Sequence, residues 1–327
     1  MGEEKITLSC GDGMQEAYNL IRDVFLPALS NPYLDKLDDA ANIEDFVFTC
    51  DSFTVKPIFF PGSDIGKLSV YGTVNDICVS AGVPLYLSLA IVVEEGFSLN
   101  VLKKIIFSVK EATEISGTTI VSGDFKVVER KKADGIFITT SGIGRRLKRN
   151  PSLNRIRAGD KIIITGGIAE HGITILLSRT EIFEFNIESD CQSLVDILIP
   201  FWKRFPKTRF MRDPTRGGLA SVLNEIVRGT ELGVKIFEER IPLKEDVKAA
   251  TELLGVDPYY LASEGRAIII VSREDAREAV KFLRSLGCRE AAIIGEVTKQ
   301  KKVIVKTISG GERFLDFSYS LTLPRIC

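Results

Sequence analysis

The sequence is poor in the residues that build the commonest metal and disulfide sites. Its 327 residues include one histidine, His171, so a multi-histidine metal centre is excluded and a histidine-based triad would have to be built on that side chain alone. His171 precedes a glycine and reads as a residue that positions a loop rather than one that reacts. The six cysteines, Cys10, Cys50, Cys78, Cys191, Cys288 and Cys327, are scattered without a C-x-x-C pair, which argues against structural zinc and a disulfide scaffold. Long apolar runs are missing as well. The longest, around Leu85 to Val93, is interrupted by Ser88 and falls far short of the roughly 20 residues that cross a bilayer. No basic or apolar targeting segment opens the chain, so the expectation is a cytoplasmic protein. Nor does either sign of charge dominate: 43 basic residues face 44 acidic ones, a net charge of −1. That removes the usual electrostatic case for nucleic acid or an anionic membrane as the main partner, and leaves a small-molecule site to look for.

What is present is an ordinary globular composition, 45% hydrophobic and 27% charged, at a length that suggests two domains. Met14, Ala17, Tyr18, Ile21, Val24, Phe25 and Ala28 have the spacing of an amphipathic helix, closed by Pro27 and Pro32. Strands are expected at Phe46 to Cys50, Leu85 to Val93 and Ile136 to Gly144. Between the last two, Ser98 caps a helix whose buried face is Leu102, Ile105, Ile106, Val109 and Ala112 and whose stop is Gly117. The basic, Pro-containing stretch Arg145 to Arg157 interrupts this alternation and marks a domain boundary. Beyond it, strands are expected at Lys161 to Thr165, Arg266 to Val271 and Ala291 to Val297. Helices are expected near Ile173 to Ser178, at Gly217 to Arg228 and from Ser272, where Ser272 and Asp275 resemble a capping box. The division is 1–155, 156–309 and a mobile tail, 310–327, ending in Cys327.

Standard nucleotide motifs fail on spacing. Gly62-Ser63-Asp64-Ile65-Gly66-Lys67 has three residues between its glycines where a P-loop needs four, and Leu68 follows the lysine. Gly11-Asp12-Gly13 lacks the third glycine of a dinucleotide fingerprint. What recurs is Asp51, Asp64, Asn75, Asp76 and Asp124, at strand ends or beside glycines. Magnesium prefers such hard oxygen ligands together with substrate phosphates, although each residue singly also suits a turn or helix cap. Lys126 stands at a loop-to-strand junction where it can reach phosphate, or simply be solvated. Glu264, just before an apolar strand, suits a partly desolvated general base, or a strand-end ion pair with Arg266. Asp213 to Gly218 opens a helix whose free N–H groups favour an anion. Cys327 is the most informative: a terminal thiol on a segment without a core pattern. Beyond Gly311 that segment could reach roughly 53 Å at about 3.3 Å per residue, a possible swinging carrier.

Pro324-Arg325-Ile326-Cys327 closely resembles the terminus of the HypE family of hydrogenase maturation factors. Agreement extends over nearly the whole chain, through Thr49-Cys50-Asp51-Ser52-Phe53, Asp64-Ile65-Gly66-Lys67-Leu68, Gly72-Thr73-Val74-Asn75-Asp76, Gly123-Asp124-Phe125-Lys126, Arg212-Asp213-Pro214-Thr215-Arg216-Gly217-Gly218 and Ser263-Glu264-Gly265. The resemblance implies an α/β (α+β) two-domain fold like that of aminoimidazole ribotide synthase, a homodimer paired through the N-terminal domains, and ATP with Mg2+ near that interface. It implies that the carbamoyltransferase HypF loads a carboxamide onto Cys327, that ATP drives its dehydration to thiocyanate, and that cyanide passes to the HypC and HypD complex. By motif, Cys327, Lys126 and Glu264 become the catalytic set, with Glu264 as proton acceptor. Asp51, Asp64, Lys67, Asn75, Asp76, Asp124 and Asp213 become the ATP ligands, and Asp51, Asp64, Asp76 and Asp124 the metal ligands. The alternatives are a related synthase or kinase acting on a free small molecule, and a non-catalytic carbamoyl or cyanide carrier. Two departures from the family stand out: Ser9-Cys10-Gly11-Asp12-Gly13-Met14 replaces a His-led glycine-rich run, and Phe125 replaces a small Thr.

Overall fold

The computed structural model describes residues 5–147, 149, 151–180, 186–317 and 325–327. The N-terminal unit is a five-stranded sheet ordered β1-β2-β7-β5-β6, built from Ala41–Ile43 (β1), Phe46–Phe53 (β2), Gly82–Glu94 (β5), Thr119–Val128 (β6) and Ile136–Arg146 (β7). A small hairpin, Phe59–Phe60 (β3) with Ser63–Asp64 (β4), stands beside it. All pairings in the large sheet are antiparallel except β5 with β6, whose parallel crossover is the helix α4, Leu99–Ser116. That helix lies in its expected place and ends at Gly117, left-handed at φ 65°, but Ser98 makes no side-chain cap bond and Ile106 of the expected buried face is exposed.

The N-terminal helix departs from expectation. The chain is helical from Gln15 to Leu29, as α1 (Gln15–Leu20), a wider turn at Ile21–Phe25, and α2 (Leu26–Leu29). Pro27 therefore lies inside the helical run rather than closing it, and the wide turn precedes the place where its missing N–H would break the ladder. Its expected buried face is only partly covered: Met14 is buried and Ala17 and Tyr18 are half-buried, whereas Ile21, Val24, Phe25 and Ala28 are exposed.

The second unit has a seven-stranded sheet ordered β14-β13-β10-β12-β8-β11-β9: Lys161–Ile164 (β8), Phe210–Arg212 (β9), Gly233–Phe237 (β10), Ile268–Val271 (β11), Ala292–Thr298 (β12), Val303–Lys306 (β13) and Glu312–Phe314 (β14). Its helices are Glu170–Leu177 (α5), Val195–Arg204 (α6), Gly218–Arg228 (α7), Glu245–Leu254 (α8) and Ala276–Ser285 (α9). Ile268, Ile269, Ile270 and Val271 are all buried because the central strands are covered on both faces. The helix expected from Ser272 begins instead at Ala276; Ser272 Oγ accepts the Asp275 N–H at 3.3 Å, so the pair forms the turn before it.

The units share one core through α3, Ile65–Val79. Every residue of this helix except Lys67 and Asp76 is buried, and Gly66 permits its approach to α4, since a Cβ there would lie 2.5 Å from the Ile105 carbonyl. Trp202 of α6 donates its indole N–H to the Cys78 carbonyl at 2.8 Å across the junction. Among the described residues no helix is long and apolar enough to cross a membrane.

Candidate active site at the domain junction

The end of the chain is docked. Thr54 donates its N–H (3.0 Å) and its hydroxyl (3.2 Å) to the Cys327 carbonyl, and Lys56 donates its N–H to that of Arg325 at 3.2 Å. These bonds pair the last residues antiparallel to the segment after β2. Arg325 donates to the Thr54 carbonyl at 2.7 Å and pairs with Asp134, while Arg179 donates to the Arg325 carbonyl at 2.7 Å. Ile326 is buried and its carbonyl accepts from His171 Nε2 at 2.7 Å. The tail expected from residue 310 thus starts inside the β13–β14 hairpin and finishes in the interior; Pro324 of the terminal motif lies outside the described residues.

Docking leaves Cys327 half-buried, with its thiol partly desolvated. Burial pushes it up to about 12, Arg216 opposing and Glu264, Asp51 and Asp213 reinforcing, so the docked thiol is uncharged. Glu264 lies in the loop before β11, 3% exposed, and burial raises its carboxyl to about 8, with Asp190 adding to the shift, Arg216 opposing it and Asp51 adding again. The ion pair with Arg266 allowed for in the sequence is not formed. Arg266 instead faces Glu170 (3.2 Å) and Asp190 (3.4 Å). Glu264 Oε1 is buried without a hydrogen-bond partner, although its main chain is held from both sides: Asp190 Oδ1 accepts its N–H at 3.1 Å and Asn75 Nδ2 donates to its carbonyl at 3.2 Å. Gly265 permits that fit, since a Cβ there would lie 1.9 Å from the Asp190 carbonyl.

Beside this pair is an acidic cluster. Asp39, Asp76 and Asp213 bring carboxylate oxygens within 4.8 Å of one another. Burial, then the neighbouring carboxylates, hold Asp76 and Asp213 well above the usual carboxylate range. Asp51 adjoins Asp76 and accepts from the Thr73 hydroxyl at 3.1 Å. Against the cluster, Arg212 donates to Asp39 at 2.6 Å and to the Leu37 carbonyl at 2.7 Å, and pairs with Glu225. Crowded hard-oxygen donors of this kind, with their charged forms disfavoured, suit magnesium.

Of the residues singled out in the sequence, the structure gathers Asp51, Asp76, Asp213, Glu264 and Cys327. The other five take different parts. Asp64 is the N-cap of α3, accepting from Gly66 N at 2.7 Å and Lys67 N at 3.2 Å; at about 1.5 Å per residue the twelve residues from Asp64 to Asp76 span roughly 18 Å, so the two cannot share one ion. Lys67, in the first turn, pairs with Glu111 at 3.3 Å. Asn75 is fully engaged as a clamp: Nδ2 donates to the Gln192 and Glu264 carbonyls and Oδ1 accepts the Leu194 N–H. Asp124 and Lys126 pair with each other at 2.8 Å on β6, an exposed edge strand and not a loop junction. Asp124 is level with Ser52, and Asp51, which points to α3, therefore lies on the opposite face of the sheet. Three strand spacings of about 4.8 Å put β6 roughly 14 Å from β2. Phe125, on the same strand, is about half exposed and enters no core.

Two residues went unselected. Arg216, inside the quoted Asp213 to Gly218 motif, lines a cavity with Asp12, Met14, Tyr260 and Ile326 and is the cation common to Asp12, Asp51, Glu264 and Cys327. Asp12, the departure in the N-terminal loop, thus faces a positive charge. Asp39 had no local signal, being one of two aspartates before a short strand.

Residues 37–146 match the AIR synthase related protein N-terminal domain family and residues 157–308 its C-terminal counterpart, so the fold is that of the AIR synthase related class. Within that class the chain is 41% identical over 329 residues to carbamoyl dehydratase HypE of Azotobacter vinelandii, covering 97% of this chain and 96% of that protein. Solved structures agree: HypE in a HypE–HypF complex has TM-score 0.88 at 43% identity, covering 91% of this chain and 99% of that one, and HypE in complex with ATP has TM-score 0.84 at 38% identity, covering 99% and 100%. The chain belongs to the HypE family.

Proposed function

We propose that this protein is an ATP-dependent carbamoyl dehydratase, converting a carboxamide carried on the Cys327 thiol into a thiocyanate that supplies cyanide to the nickel–iron hydrogenase centre. The observation that carries the reading is the docking of the terminal residue where its thiol feels the charge of a buried carboxyl, Glu264, whose Oε1 lacks a partner. An amide N–H on the loaded thiol supplies that partner, and the ionised form of Glu264 is the acceptor for its proton. ATP, held with magnesium, supplies the phosphoryl group that turns the poor amide oxygen into a leaving group. Asp39, Asp76 and Asp213 would hold the metal, with Asp51 adjoining, and Arg216 offsets the negative charge gathered around the thiol.

Asp124 and Lys126 enter this scheme through a second copy of the chain. β6 is an edge strand carrying exposed Val121, Phe125 and Val127, an arrangement that an isolated sheet avoids, and a homodimer that covers it brings the partner's strand to the site. Loading requires the tail to leave, because a docked, uncharged thiol is a poor nucleophile. HypF is the expected donor, in keeping with the HypE–HypF complex of a 43% identical protein, and the HypC and HypD complex the expected acceptor.

Intact-protein mass spectrometry of Cys327-carbamoylated protein before and after magnesium and ATP tests this, with Cys327→Ala as control. Loss of one water coupled to phosphate release is expected. An unchanged adduct without phosphate would make the protein a carrier.

A further inference from the structure

His171 is a buried, titratable ring at the docking site that the proposed chemistry does not use. It is 0% exposed on the first turn of α5 and bonded at both nitrogens, to Ser189 Oγ at 2.8 Å and to the Ile326 carbonyl at 2.7 Å, with the Phe60 ring edge-on at 5.4 Å. The tautomer follows from the partners. A carbonyl only accepts, so Nε2 carries the hydrogen and Nδ1 accepts from the Ser189 hydroxyl, whose oxygen in turn accepts the Cys191 N–H at 3.1 Å. Burial pushes the ring down to about 4, so it is neutral at physiological pH.

The same turn of α5 also holds the base. Ala169 N donates to Ser263 Oγ at 3.0 Å and Gly172 N to the Ala262 carbonyl at 2.9 Å, immediately before Glu264. Gly172 permits this approach, since a Cβ would lie 2.9 Å from Ala262 N. One turn of helix therefore fixes the residue before the base and the residue before the thiol.

We infer that His171 is a positioning residue for the reacting thiol: its Nε2–H holds the Ile326 carbonyl so that Cys327 meets Glu264 in the register set by α5. This rests on the dehydratase reading for its consequence, though the docking itself can be measured without turnover. The test compares wild type, His171→Leu and His171→Gln, whose amide can replace the Nε2 donor. In unloaded protein without ATP, hydrogen exchange at the Thr54 and Lys56 amides, which donate to the tail, reports docking. In carbamoylated protein, single-turnover dehydration reports the consequence, and the rate of HypF loading is the contrast.

His171→Leu is expected to speed exchange at both amides and slow dehydration, each by about tenfold, the order of one buried hydrogen bond, without slowing loading. His171→Gln restores most of both. Unchanged exchange in His171→Leu overturns the inference, as does a Gln variant no better than Leu. Should the Leu variant not fold, Ser189→Ala, which removes the bond fixing the tautomer, must move the same two amides in the same direction or the inference fails. Faster exchange in the variants of a protein whose wild type never dehydrates would sink the enzymatic reading and leave the docking role standing.

Discussion

Glu264→Gln should make the protein more stable while disabling it. The folded carboxyl is raised from its ordinary 4.5 to about 8, so the folded state binds a proton that the unfolded chain has released at neutral pH. Stability from this group is complete below about pH 4.5 and is lost as pH rises toward about 8. At 1.36 kcal/mol per unit the loss is about 1 kcal/mol at pH 5, about 3 at pH 7 and approaches about 5 above pH 8. Glutamine keeps the shape and carries no proton to release, so its gain over wild type should follow that curve in urea unfolding from pH 5 to 8.5. Dehydration should run the other way. In wild type the ionised fraction of such a group rises from about one tenth at pH 7 to nine tenths at pH 9, giving a roughly tenfold rise in rate, whereas the Gln variant should lose about 100-fold or more at every pH. Parallel stability curves for the two proteins would refute the buried-carboxyl argument, and a Gln variant that dehydrates normally would remove Glu264 as the proton acceptor.

Arg212→Met leaves Asp39 and Glu225 without their guanidinium and should cost about 3–5 kcal/mol in urea unfolding. Asp76→Asn removes a buried carboxylate from among like charges, so it should raise the melting temperature of the metal-free protein yet lower magnesium affinity in calorimetry; unchanged magnesium affinity would argue against the cluster as a metal site. Asn75→Ala removes three hydrogen bonds, two of them buried, and should cost about 2–4 kcal/mol, with dehydration slowed more than ATP binding because the Glu264 main chain is freed.

The parts of the fold legible in the sequence are those with one buried face. Helix α4 announces itself through Leu102, Ile105, Val109 and Ala112 because its other side is wet. Helix α3, which carries Asn75 and Asp76, does not, because it is buried nearly all round and has no polar stripe to set a period. The acidic motifs were legible as a set but not as roles. Asp64 and Asp76 look alike in sequence, and only α3, by separating them along its axis, makes one a cap and the other a member of the cluster. Asn75 likewise reads as a phosphate or metal ligand until the fold brings Gln192, Leu194 and Glu264 to its amide. Arg216 and Asp39 depend on convergence of distant loops, which no local pattern records.

Lys126 poses the sharpest question left by this geometry. It matches the family motif, yet within one chain it lies on the outer face of the first sheet, three strands from the segment that docks Cys327. If it acts at all, it acts on the thiol of another copy. Mixing Lys126→Ala with Cys327→Ala protein separates the cases. In a mixed dimer the Lys126→Ala chain supplies a thiol and its partner supplies the lysine, so one complete site of two is restored. Random exchange makes half the dimers mixed, and recovery should approach about a quarter of wild-type dehydration. Action within one chain predicts no recovery above the two separate variants, since no single chain then holds both groups. A Lys126→Ala homodimer with full activity would show instead that the lysine is a solvated partner of Asp124 and nothing more.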